Sequence, residues 1–290
     1  VQKHCGNTDL LTVRNVQSEG EGLSTLIATI RRWRRTRIIT RHPVDEALWH
    51  RVTAEIDALA GLNEAELGHL RELVALFLHS KRFYGTHELV IDEFMRIAVA
   101  AQACLLVLNL DAALETEVYP GWASIILYPG AFVARHDYRD GVGVVHERIM
   151  ALDGEASHRG PVVLSWQDAR PGAESPGTGR NVVLHEFAHK LDFLDGTSNG
   201  HPPLHADMST KIWAAVFSAA FGHFSHLVEQ RHHTPFNPYA ATNPAEFFAV
   251  VTEVFFLAPH KLKLTYPEVY DQLARYYRQD PAGRREPHRD

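Results

Sequence analysis

His185 and His189 stand four residues apart with Glu186 beside the first, and this H-E-x-x-H spacing supplies half of a zinc centre when it lies on a helix. Residues i and i+4 share one helical face, so both imidazoles reach a single cation while Glu186 sits next to the water that cation carries. The chemistry implied is hydrolysis by a metal-activated water, with a carboxylate as general base. Five letters are weak alone: with 19 histidines in 290 residues, such a pentad arises by chance on the order of one time in ten. Its surroundings must decide.

Those surroundings are helical. Val183, Leu184, Phe187, Ala188, Leu191 and Leu194 follow the i, i+3, i+4 rhythm of a helix packed on a core, Gly196 offers a stop, and the Gly/Pro/Ser-rich stretch from Pro171 to Gly179 precedes the start. The competing reading is two surface histidines flanking a solvated glutamate. A catalytic zinc also needs a third protein ligand and an open position. Downstream, the apolar segment from Tyr239 to Phe256 holds just two carboxylates, Glu246 and Glu253. Asn243 as N-cap, Pro244 at the first helical position and Glu246 at the third also spell a capping box. Glu253, two turns further on the same face, fits a ligand or a partner that orients one. Pattern alone leaves both open. Asp192, three residues after His189, reads as orienting an imidazole or a nearby loop, whereas His201, His205, His223, His226, His232 and His233 read as surface residues.

The elements that must position these groups divide in two. Pro43 to Ala60 reads as a helix from Val44, Leu48, Val52 and Ile56. A second helix opens at Asn63 with Glu66 as capping-box partner and runs to about Ser80, and a third covers Asp92 to Leu108. Strands are then expected at Ser124 to Tyr128, Val144 to Leu152 and Pro161 to Trp166, the last two as a hairpin around Asp153-Gly154. The expected organisation is a disordered arm over 1–22, a helical part over 23–119, a catalytic part over 120–281 and a disordered tail over 282–290.

A net charge of −6 argues against a general nucleic-acid binder, and no apolar run approaches the roughly 20 residues needed to span a bilayer. The exception in charge is local. Arg31 to Arg37 is strongly basic and follows the helix-like run Leu23 to Ile30, which reads as a solvated arm or, less often, as a contact for an acidic partner or membrane surface. Cys5 and Cys104 lack C-x-x-C spacing, which excludes a disulfide framework and a thiolate zinc site and fits a reducing cytoplasm. The first 22 residues lack a secretory pattern.

HEFAHKLD followed by YAATNPAEFFAV resembles the Mlc titration factor A family of zinc peptidases and, more distantly, the catalytic domain of anthrax lethal factor. LYPGAFV and GPVVLSWQDA extend the resemblance from the arginine run to about Pro281. It implies one Zn2+ per chain held by His185, His189 and Glu246, with Glu186 as the catalytic carboxylate and Tyr239 in the active site. The expected fold is α+β, a mostly helical zincin-like metallopeptidase with a small mixed sheet. By analogy with that class, Val145 to Met150 is expected as the edge strand that pairs with an extended peptide. The activity implied is peptide-bond hydrolysis, as an aminopeptidase linked to glucose uptake. The alternative is capture of a transcriptional repressor, and neither reading involves direct nucleic-acid contact.

Overall fold

The computed structural model describes residues 26–110, 118–130, 132–139, 145–152, 154–156, 160–173 and 180–284. The expected arm over 1–22 lies outside them. Contacts divide the chain into two compact units, Val1–Pro43 and Val44–Asp290. Among its described residues the first has a helix, α1, over 26–41, so the arginine run is helical, and most of its residues are exposed.

In the second unit, Asp45 caps α2 (Glu46–Glu55) through the Leu48 N–H at 2.9 Å. The expected long helix breaks at Ile56, whose φ of −100° and ψ of 103° are extended, and a 3-10 turn follows at Asp57–Leu59. α3 (Glu64–Ser80) opens with the expected capping box: Asn63 accepts from the Glu66 N–H at 3.0 Å, and Glu66 accepts from the Asn63 N–H at 2.9 Å. α4 (Glu93–Leu106) is buried along almost its whole length, as its Ala/Leu content demands.

Three strands run parallel: β1 (Arg82–Gly85), β2 (Ser124–Tyr128) and β6 (Val162–Ser165), with β5 (Gly154–Ala156) antiparallel at the edge. The register sets Phe83 opposite Ile125, and Ile125 opposite Val162. β3 (Phe132–Arg139) and β4 (Val145–Leu152) form a separate antiparallel pair, from Phe132 opposite Leu152 to Arg139 opposite Val145. This corrects two expectations. The partner of β6 in its antiparallel pairing is β5, and Val145 to Met150 belongs to the separate two-stranded β3–β4 pair, so the edges of the main sheet are β1 and β5. The arginines, His136 and Asp137 in Phe132–Arg139 hid β3, and once that run is a strand, just five residues of sequence separate it from β4, so the loop-closure cost of pairing them is small.

Beyond β6 come α5 (Trp166–Ala169), α6 (Val182–Asp192) with a 3-10 turn at Phe193–Asp195, α7 (Thr210–Glu229), a 3-10 turn at Pro238–Ala241, α8 (Pro244–Leu257), α9 (Pro259–Thr265), α10 (Pro267–Tyr277) and α11 (Pro281–Arg284). The expected disordered tail therefore begins with a helical turn, in which Ala282 is buried, and residues 285–290 lie outside the described ones. The core on the far side of α8 is aromatic: Trp213 stacks on Phe217 at 4.2 Å and Phe224 on Phe236 at 4.7 Å, with Phe247 and Phe248 of α8 packed among them. Among the described residues no helix is long and apolar enough to cross a membrane.

Candidate metal centre

α6 is held from three sides. Phe187 packs on Phe77, Tyr119 and Trp122 at 4.9–5.8 Å. Its neighbour Lys190 donates to the Gly160 carbonyl at 3.0 Å and lies 4.6 Å from the Trp122 ring centre, which Lys81 also approaches at 4.5 Å. Burial pulls the Lys190 ammonium down to about 8. At the helix start, Asn181 caps the Leu184 N–H at 2.9 Å, its side-chain N–H reaches Gln102 Oε1 on α4 at 2.6 Å, and its backbone N–H donates to Glu253 on α8. Gln102 in turn donates to the Ala98 and Ala169 carbonyls. α6 is thereby fixed in rotation, as a side chain aimed at a metal requires.

That rotation turns His185 and His189 toward the N-terminus of α8. His185 Nε2 lies 3.1 Å from Glu246 Oε2, His189 Nε2 lies 3.3 Å from the same oxygen, and the two nitrogens are 3.2 Å apart. Burial alone would lower the His185 imidazole, but hydrogen bonds to Glu246 and Glu253 hold it well above its usual value. Glu246 runs the other way: burial would raise it, yet hydrogen bonds to His185 and His189 hold it well below the carboxylate range. A positive charge is stabilised at this spot.

The donor set fits a metal ion. A tetrahedral zinc with ligand bonds of about 2.0–2.1 Å has ligand-to-ligand edges of about 3.3 Å, which is the size of this triangle. Among the described residues, His185, His189 and Glu246 are the single group of three or more His, Cys, Asp or Glu with such convergence.

The two carboxylates left open by the sequence separate here. Asn243 caps α8 through the Glu246 N–H at 3.0 Å, but the Glu246 side chain turns to the imidazoles. Half of the capping box is present, and it leaves the carboxylate free. Glu253 instead accepts from His185 Nδ1 at 2.7 Å, which fixes the tautomer that turns the Nε2 lone pair to the triangle.

Glu186 is buried beside the triangle, and burial pushes its carboxyl up to about 7 against the pull of His185 and His189. Tyr239 sits on the 3-10 turn before α8, held by its N–H to Asn237 Oδ1 at 3.1 Å, with its ring 6.2 Å from that of His185. Burial, then the nearby Glu246 charge and hydrogen bond, push its hydroxyl pKa upward, so it keeps its proton. All five residues implied by the resemblance converge.

Asp192 turns to a loop rather than to an imidazole. Its buried carboxylate accepts from Gly200 N at 2.9 Å, His201 N at 2.8 Å and Ser198 Oγ at 3.2 Å. Gly200 has a φ of +76°, and a Cβ there would lie 2.4 Å from the Pro244 carbonyl oxygen. The loop thus presses on the first residue of α8, two before Glu246. His205 is buried rather than superficial, with Nε2 2.7 Å from the Tyr276 carbonyl oxygen, and His201 is half-buried against Trp213. Neither joins the triangle.

Sequence reasoning missed Asn181, Gln102 and Gly200. A lone glutamine in an Ala/Leu helix was a readable sign of a buried polar network, and Asn181 before an apolar run was a readable cap. Nothing in the sequence sets Gly200 apart from an ordinary turn glycine.

The family model described as glucose-regulated metallopeptidase M90 matches residues 30–278. The proteins called Mlc titration factor A from Yersinia pestis and Yersinia pseudotuberculosis are each 35% identical over 241 residues, covering 82% of this chain and 86% of theirs. With a match over most of its length and the His185, His189 and Glu246 cluster at its centre, the chain belongs to the M90 metallopeptidase family.

Proposed function

We propose that this metallopeptidase is zinc-dependent and cleaves peptide bonds with Glu186 as general base. The supporting observation is the triangle of His185 Nε2, His189 Nε2 and Glu246 Oε2, with edges of 3.1–3.3 Å. Two imidazoles and one carboxylate at that spacing suit zinc better than the oxygen-seeking Mg2+ or Ca2+. Zinc bound there supplies Lewis acidity, toward water and toward the scissile carbonyl. Glu186 takes the proton of the attacking water and returns it to the departing amine nitrogen, and a carboxyl near 7 is matched to both transfers at neutral pH. Tyr239, protonated, donates its O–H to the developing oxyanion. Glu253 keeps the His185 Nδ1 proton in place.

The test is zinc stoichiometry by elemental analysis together with turnover of a fluorogenic peptide. One zinc per chain and full zinc retention with abolished turnover in Glu186→Gln are expected. Unchanged turnover in that variant sinks the mechanism. An aminopeptidase preference rests on the family resemblance, and a peptide cleaved equally well with its amino terminus free or acetylated would remove it.

The relatives' name supports a second reading, in which the chain binds an Mlc-like repressor. Binding that persists in Glu186→Gln would make capture separable from hydrolysis.

A further inference from the structure

Helix α1 carries a feature that peptide hydrolysis does not use. Over 26–43 the chain has six arginines and no acidic residue, within a protein of net charge −6. On the same helix Leu26, Ile27, Ile30 and Trp33 are 56%, 42%, 47% and 59% exposed, an unusual density of large apolar side chains in water. Their spacing places them on one face, since 26, 30 and 33 follow the i, i+4, i+7 pattern. Arg34 and Arg37 continue that face one and two turns further, and the Arg37 guanidinium lies 5.1 Å from the Trp33 ring centre. The stripe is apolar at its N-terminal end and cationic at its C-terminal end.

We propose that α1 is an interfacial anchor that lies on an anionic lipid surface, with Leu26, Ile27, Ile30 and Trp33 in the headgroup–acyl boundary and the arginines on lipid phosphates. Six arginines within 26–41 make a crossing of the hydrocarbon core too costly, so the helix lies flat on the surface. Trp favours that boundary, and long arginine stems let the apolar face sink while the charge stays at the phosphates. A nucleic-acid duplex would satisfy the arginines but leave the aliphatic side chains without a partner. Lipid satisfies both halves of the stripe.

The full chain is sedimented with vesicles of phosphatidylcholine alone and of phosphatidylcholine mixed with phosphatidylglycerol. Binding to the mixed vesicles alone is expected, weakened at about 0.5 M salt, where screening shortens the Debye length to a few ångströms. Replacing Arg31, Arg32 and Arg34 together by Ala should lower the partition coefficient on the order of a hundredfold. Ile30→Ser with Trp33→Ser should lower it as well, and both variants keep wild-type peptidase turnover and helical circular dichroism. No binding to the mixed vesicles, or binding indifferent to Ile30 and Trp33, overturns the proposal. Retention on duplex DNA or polyglutamate in place of vesicles overturns it too.

Discussion

Glu246 and Glu253 are carboxylates of one helix, two turns apart on one face, and they meet opposite edges of the same imidazole. Glu246, at the first turn of α8, approaches the Nε2 atoms of both His185 and His189, with its side chain 16% exposed. Glu253, deep in the helix at 5% exposure, accepts from His185 Nδ1 and from the backbone N–H of Asn181. Depth accounts for the difference. A carboxylate among Phe and Val side chains needs hydrogen-bond donors on its oxygens, and Glu253 has one on each, so it is committed to fixed donors. At the helix end, its backbone N–H capped by Asn243, Glu246 is less buried and turns one oxygen to the two imidazoles. In the proposed centre, one residue binds and the other aims.

The largest expected effect falls on the binding side. Glu246→Gln should strip zinc from the purified protein and abolish turnover, since two imidazoles alone do not hold a catalytic ion. Glu253→Gln should keep zinc at high concentration but weaken its affinity by about 10–100-fold, read by competition with a chelating dye. The reverse pattern, zinc retained in the first variant and lost in the second, would overturn the contrast between them.

The α6 half of this contrast was legible because five residues carry it: the spacing of His185, Glu186 and His189 is itself the geometry once the segment is helical. The α8 half was not. Local pattern offered Glu246 as a cap and Glu253 as an equal candidate, and a distinction made by the rotation of α6 against α8 has no local signature. The long helices α3 and α4 were readable from apolar period and caps, whereas β1 was not, because Arg82–Gly85 has four residues, mostly exposed, and becomes a strand by pairing with β2. The β3–β4 pair was misassigned for the same reason: strand partners are chosen across the sheet, and alternation within one strand does not name them.

Gly200 tests whether the position of Glu246 is set from outside α8. Gly200→Ala would place a methyl 2.4 Å from the Pro244 oxygen at a φ of +76°, so either the loop or the start of α8 must move. If α8 moves, zinc affinity falls by about tenfold, as for other supports of a ligand. A lowered Tm with unchanged zinc affinity would mean that the loop yields and that Glu246 is positioned by α8 alone.

The smallest effect is expected at Asn243, whose side chain accepts from the Glu246 N–H. If the cap and the ligand role are independent uses of the same helix end, Asn243→Ala should cost about 1 kcal/mol of stability, seen in urea unfolding, while zinc affinity changes by less than about twofold. The cap engages the Glu246 backbone, whereas the Glu246 carboxylate is oriented by His185 and His189. A loss of zinc affinity as large as that in Glu253→Gln would instead show that the cap fixes the ligand's backbone, and both ends of α8 would then count as aiming groups.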